Sequence, residues 1–145
     1  MPFTSIWLYF RVYKNLEIKK RLSERFGFSS IEKPIGKIVW IHASSIGEAV
    51  AGIALIEGLR NEGYKGNILF TTFTLTASDY IKNYNSVIHQ FIPLDHYKWV
   101  NNFLDHWKPD LAIMIESEIW PNLIIATNSK KIPLIMASAQ ISQKK

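Results

Sequence analysis

The sequence predicts an α/β fold built on a doubly wound parallel sheet. From residue 37 onward, short apolar runs of strand length alternate with amphipathic stretches of helix length. One run, Asp110-Leu-Ala-Ile-Met-Ile115, is apolar at consecutive positions, as a central strand covered on both faces should be. Polar clusters follow the runs, on the edge where such sheets bind ligands.

The elements follow in order. Residues 5–26 carry the pattern of one helix ending near Gly27, and Ser29-Ser30 with Pro34-Ile35-Gly36 reads as a linker. Lys37 to His42 is a first strand. A helix opens at Glu48 and runs to about residue 62, with Val50, Ile53, Ile56 and Leu59 on its inner side and Gly63 closing it. Asn67 to Thr72 is a second strand, and Thr74 to Tyr84 a helix with Leu75, Ala77, Tyr80 and Ile81 on one side. Val87 to Ile92 is a third strand, stopped by Pro93. Tyr97 to Trp107 is a helix that turns Trp99, Val100, Phe103 and Leu104 inward. After the strand at 110–115, Pro121 to Asn128 forms a short helix with proline in its first turn, and Ile132 to Ala137 a fifth strand. Strands joined by helices of this size imply right-handed crossovers in one sheet.

The 145 residues suffice for one domain with a sizeable core, and 48% hydrophobic against 20% charged residues is ordinary for a globular protein. Without cysteine there are no disulfides and no thiolate metal sites, and His42, His89, His96 and His106 lack the spacing of a histidine metal pair. Neither metal nor cofactor is therefore expected. The charge is lopsided. Residues 1–37 hold eight Lys/Arg and three Glu, so they carry the whole excess of +5, and the rest is neutral. A basic start interleaved with Phe3, Ile6, Trp7, Leu8, Tyr9, Phe10, Val12 and Tyr13 fits a membrane-surface segment, too short to span a bilayer. It equally fits a helix docked on its own domain with a solvated basic face. Nucleic acid is not expected, because no recognition motif follows and the body is not basic.

The chemistry is expected at the strand ends. Ala43, Ser44, Ser45 and Gly47 are small enough to let a substrate reach the backbone, and Glu48 stands beside them. A first-turn carboxylate gains from the helix dipole in its ionised form; it can serve as a cap or as a base for a bound hydroxyl, and spacing does not separate the two. Thr72 and Thr74 sit at the second strand end, and Glu116, Glu118, Trp120 and Asn122 at the fourth. Two carboxylates two residues apart beside a Trp-Pro turn are more than a strand needs to stop, although a solvated acidic turn also fits. No glycine-rich dinucleotide fingerprint, phosphate loop or G-x-S-x-G elbow occurs, which argues against dehydrogenases and serine hydrolases.

His42-Ala-Ser-Ser-Ile-Gly-Glu48, Thr71-Thr-Phe-Thr-Leu-Thr76 and Pro109-Asp-Leu-Ala-Ile-Met-Ile-Glu-Ser-Glu-Ile-Trp-Pro-Asn-Leu123 resemble the 3-deoxy-D-manno-octulosonic acid (Kdo) transferase family. The Arg21-Leu-Ser-Glu-Arg-Phe-Gly27 approach is similar too, and the likeness covers about residues 20–142. It implies a Rossmann-like N-terminal half of an inverting, GT-B type glycosyltransferase that moves Kdo from CMP-Kdo to the lipid A precursor. The implied location is the cytoplasmic side of the bacterial inner membrane, peripheral, where the basic aromatic start would meet anionic lipid. By similarity Glu48 is the general base. Glu116, Glu118, Trp120 and Asn122 match the acceptor rim, with Ser44, Ser45, Gly47, Thr72 and Thr74 as further substrate contacts. Residues 1–36 are expected to form a basic amphipathic helix and linker and 37–145 a Rossmann-like acceptor-side domain, with the family's C-terminal donor-binding domain absent. The chain departs from the family pattern at Ala77-Ser78, where a glycine is usual, and at Ser138-Ala-Gln-Ile-Ser142, which replaces an Asn and an Arg. Two rivals remain: a non-catalytic fragment that binds anionic membrane surface only, and a nucleotide-binding module that would take CMP alone.

Overall fold

The computed structural model describes residues 2–84, 86–115 and 119–137. Its centre is a five-stranded sheet, all pairs parallel, in the order β3-β2-β1-β4-β5. The strands are β1 (Ile38–Ala43), β2 (Asn67–Thr72), β3 (Ile88–Phe91), β4 (Leu111–Ile115) and β5 (Leu134–Ala137). Helices α2 (Ile46–Asn61), α3 (Leu75–Ile81), α4 (Tyr97–Trp107) and α5 (Pro121–Ser129) join them, after α1 (Pro2–Tyr13) and a 3-10 helix at Lys19–Phe26.

Side chains alternate along each strand, and that alternation makes two cores. Ile38, Trp40, Leu69, Ala112 and Met114 pack under α4 and α5, against Val100, Phe103, Trp107 and Leu123. Val39, Ile41, Ile68, Phe70, Ile113 and Ile115 pack under α2 and α3, against Ile53, Ile56 and Ile81. On that face α2 lies close to the sheet because position 52 is glycine: a Cβ there would meet the Phe70 ring at 2.7 Å. β1, at the middle, is buried at every position. From β1 the chain winds outward through β2 and β3, then returns to the other side of β1 as β4. The reversal opens a crevice at the carboxyl ends of β1 and β4.

The N-terminal region differs from the single helix expected over 5–26. α1 stops at Tyr13, Asn15 takes a left-handed φ of 56°, and the chain resumes as the 3-10 helix. Tertiary pairing overrides the helical pattern. Glu17 turns inward to Arg25 and Arg11, with Oε1 2.9 Å from Arg25 Nη2 and 3.0 Å from Arg11 Nε. Gly27, at φ 82°, ends the segment where a Cβ would lie 2.0 Å from the Trp99 carbonyl. Three of the basic residues are thus spent on the domain itself: Arg11, Arg21 and Arg25 all hold ion pairs.

The 3-10 helix closes the β3 edge. Glu24 accepts the Phe91 N–H at 2.7 Å and two bonds from Arg21 at 2.8 and 2.9 Å. Arg21 Nη2 lies 3.2 Å from the His89 carbonyl and 3.1 Å from His89 Nδ1. A guanidinium only donates, so Nδ1 accepts, and the ring hydrogen assigned to Nε2 goes to Thr72 Oγ1 at 2.9 Å. Burial, and then the charges of Arg21 and Arg25, push the His89 pKa down to about 3. An unfolded histidine binds its proton near 6.5, so stability from this group is complete above that pH and is lost as pH falls towards 3. On going from pH 7.5 to 5.0, the wild type should lose about 1–2 kcal/mol more than His89→Asn in urea unfolding. Equal losses would show that His89 is not held neutral.

Candidate functional site

The site is built where β1 runs into α2. Ser45 is the N-cap, and Ile46 and Gly47 begin the helix two residues earlier than the sequence suggests, so Glu48 falls at the third helical position. Ser45 and Glu48 form a capping box. Glu48 Oε2 accepts the Ser44 N–H at 2.9 Å and the Ser45 N–H at 3.2 Å. The carboxylate is partly exposed and makes no ion pair among the described residues. Capping and orientation are therefore one act, since the bonds that satisfy the helix end also fix the plane of the carboxylate. Gly47 is exposed, with open space where a side chain would stand.

Beside Glu48 the rim is tied between the ends of β1 and β2. His42 is fully buried, with Nδ1 2.8 Å from Thr71 Oγ1 and 3.1 Å from the Thr71 carbonyl, and Nε2 3.0 Å from Ser44 Oγ. Trp40 Nε1 donates to the same Thr71 hydroxyl at 2.8 Å. The Ser44 carbonyl accepts from the Phe73 N–H at 3.2 Å, the Thr74 N–H at 3.1 Å and the Thr74 hydroxyl at 3.3 Å. Thr74 Oγ1 in turn caps α3 by accepting the Ala77 N–H at 3.2 Å. Trp120 stands over this turn, its ring centroid 6.2 Å from His42 and 5.8 Å from Phe73. Its buried Nε1 has no partner among the described residues.

The structure thus brings Ser44, Ser45, Gly47, Glu48, Thr74 and Trp120 together. Thr72 lies behind them, fully buried, its hydroxyl taken by His89. Asn122 is held at the side of the crevice: its Nδ2 donates to the Asp95 carbonyl at 2.9 Å. Glu116 and Glu118 lie outside the described residues.

Asp95, in the loop between β3 and α4, is not among the site residues expected from the sequence. Its carboxylate accepts the Asn122 N–H at 3.2 Å and the Leu123 N–H at 2.9 Å, capping α5 from a loop 27 residues away. No local pattern signals so distant a cap. Arg25 also supports the rim, because Nη2 donates to the Phe73 carbonyl and its guanidinium lies 4.7 Å from the Phe73 ring centroid. Among the described residues no group of three or more His, Cys, Asp or Glu could hold a metal ion.

The sheet order and the carboxylate at the switch point define a Rossmann-like α/β domain with a polar, acid-bearing crevice. Residues 20–145 match the family model described as 3-deoxy-D-manno-octulosonic-acid transferase (kdotransferase). The chain belongs to that family, as its N-terminal domain. It is 40% identical over 145 residues to a probable mitochondrial 3-deoxy-D-manno-octulosonic acid transferase of Arabidopsis thaliana, covering 99% of this chain and 32% of that protein. It is 37% identical over 134 residues to the 3-deoxy-D-manno-octulosonic acid transferase of Haemophilus influenzae, covering 89% of this chain and 31% of the relative. A bifunctional glycosyltransferase/methyltransferase of Fusobacterium nucleatum is 33% identical over 131 residues, covering 88% of this chain and 20% of that protein. The chain spans about a third of the length of the first two relatives.

Proposed function

We propose that this chain is the acceptor-side part of an inverting Kdo transferase, with Glu48 as the general base. The observation that carries this reading is the position of Glu48 at the carboxyl end of β1, where two backbone N–H groups hold Oε2 and, among the described residues, no ion pair neutralises the group. In the step proposed, Glu48 takes the proton of an acceptor sugar hydroxyl on the lipid A precursor. The hydroxyl oxygen then bonds to the anomeric carbon of Kdo as the bond from that carbon to the CMP phosphate oxygen breaks. CMP leaves with the electron pair. Ser44, Ser45, Gly47, Thr74, Trp120 and Asn122, with Glu116 and Glu118, would line the acceptor side. Thr72 is better suited to support the rim from beneath than to touch a ligand. The donor, CMP-Kdo, would be bound chiefly by a second domain of the kind the longer relatives have room for. The test is to mix the chain with acceptor, CMP-Kdo and such a donor half, and to follow Kdo transfer. Binding of CMP by this chain alone would favour the nucleotide-module reading instead.

A second reading, attachment to an anionic membrane surface, is favoured by α1. Leu8 is buried there, while Phe3, Ile6, Trp7, Tyr9, Phe10 and Tyr13 are all exposed, Phe3 and Tyr13 by more than 80%. Exposed Lys14, Lys19 and Lys20 follow. Aromatic and aliphatic side chains beside exposed lysines suit the interface of an anionic bilayer, each lysine contributing about 1 kcal/mol. No helix among the described residues is long and apolar enough to cross a membrane. The chain should sediment with vesicles containing phosphatidylglycerol, and Lys14→Glu with Lys19→Glu and Lys20→Glu should abolish this, roughly a hundredfold loss for the three charges. Undiminished sedimentation of the triple variant would remove the electrostatic part of this reading. The cytoplasmic side of the inner membrane is the location that both readings share.

A further inference from the structure

Helix α5 begins without a cap of its own. Pro121, in its first turn, has no N–H, and Trp120, at the N-cap position, has a side chain that can only donate. The anion that such a helix end favours comes instead from the loop between β3 and α4. Asp95 Oδ1 accepts the Leu123 N–H at 2.9 Å, and Oδ2 accepts the Asn122 N–H at 3.2 Å. Asn122 closes the clasp from its own side, with Nδ2 donating to the Asp95 carbonyl at 2.9 Å and to Oδ2 at 3.4 Å.

The loop that carries Asp95 is itself fixed. Arg25 Nη1 donates to the carbonyl of buried Ile92 at 3.2 Å, and the Leu94 N–H donates to the Arg25 carbonyl at 2.9 Å. Trp120 immediately precedes the helical turn that Asp95 holds. Its ring stands over the turn of Ser44, and its buried Nε1 has no partner among the described residues. A buried indole N–H costs free energy until an acceptor oxygen reaches it. The turn at Ser44 is held separately, by Phe73 and Thr74 at its carbonyl and by Glu48 at its N–H.

We propose that Asp95 is a positioning residue for acceptor binding. By clasping the first turn of α5 it holds Trp120 where the indole N–H meets an oxygen of the acceptor sugar. This rests on reading the crevice as the acceptor side of a transferase. Asp95 acts through Asn122 and Leu123 and takes no part in proton transfer, so its loss should weaken acceptor binding and spare the chemical step.

Two measurements test this, and the first involves no transfer. The indole Nε1–H signals of the chain alone are compared by heteronuclear NMR, with Trp120→Phe assigning the Trp120 signal. Asp95→Ala should move that signal and leave those of Trp40 and Trp107 in place, since these donate to Thr71 and Gln90. Asp95→Asn, which keeps an acceptor oxygen for the Leu123 N–H, should move it less. An unmoved Trp120 signal in Asp95→Ala would overturn the proposal. So would displacement of all three signals, which would make Asp95 a support of the whole fold.

The second measurement uses the mixture with a donor half, the lipid A precursor and CMP-Kdo. Asp95→Ala should raise the acceptor KM roughly tenfold and keep kcat and the donor KM within about threefold of wild type, with Asp95→Asn in between. A fall in kcat at unchanged acceptor KM would overturn the proposal. No transfer by the wild-type mixture would instead remove the acceptor-side reading, and the binding role with it, whereas the indole signals still report the clasp.

Discussion

In a mixture of this chain with a donor half, acceptor and CMP-Kdo, Glu48→Gln is expected to lower the transfer rate by roughly 10²–10⁴-fold, the usual worth of a positioned general base. The same substitution should barely alter thermal stability. A glutamine carbonyl oxygen can still accept the Ser44 and Ser45 N–H groups that Glu48 Oε2 accepts at 2.9 and 3.2 Å, and Gln serves in capping boxes as Glu does. What it cannot do is take a proton. Glu48→Ala, in contrast, removes the cap as well, at a cost of about 0.5–2 kcal/mol. Comparing the two variants separates the roles that sequence spacing leaves tangled. Full turnover by Glu48→Gln would end the assignment of Glu48 as base. A fall in Tm as large for Gln as for Ala would mean that the residue's charge holds the helix end, and that reduced transfer follows from damage to the fold.

Legibility in the sequence tracks the range of the forces involved. The sheet was readable because strand identity is local: Ile38 to Ile41 and Leu111 to Ile115 are apolar where both faces are covered, and the amphipathic stretches between them fix the crossovers. Glu48 was readable for the same reason, since Ser45 and Glu48 lie within one helical turn. The break in the first helix was not. The pattern over 5–26 is helical by periodicity, and only the burial of Glu17 between two arginines, six and eight residues away, bends the chain out of it. The supports of the rim are more distant still. Asp95 caps α5 across 27 residues, and Arg25 reaches Phe73 across 48. Such contacts are decided by the packed sheet and leave no trace in the spacing of their own neighbours.

The second large effect is expected at that buried pair. Glu17 accepts from Arg25 Nη2 at 2.9 and 3.1 Å, from Arg25 Nε at 3.2 Å and from Arg11 Nε at 3.0 Å. Arg25 is wholly inaccessible to solvent. Burial lowers its pKa, and the Glu17 charge works against that shift. Glu17→Ala would leave a guanidinium in the interior with its anion gone and Arg11 nearby, which costs about 3–5 kcal/mol. Against a typical domain stability of about 5–15 kcal/mol, this should lower Tm by roughly 10 °C or more. Glu17→Gln keeps an acceptor but not the charge, so its loss should be smaller. Pairing Glu17→Ala with Arg25→Met should recover much of the loss, because an apolar pair can replace a buried ion pair without penalty. Urea unfolding of the three variants measures this, and a cost below about 1 kcal/mol for Glu17→Ala would contradict it. The consequence reaches the crevice, because Arg25 holds the Phe73 carbonyl and the Phe73 N–H in turn holds Ser44. Removing one carboxylate from the N-terminal segment should therefore loosen the turn that orients Glu48, while Glu48→Gln leaves that turn intact.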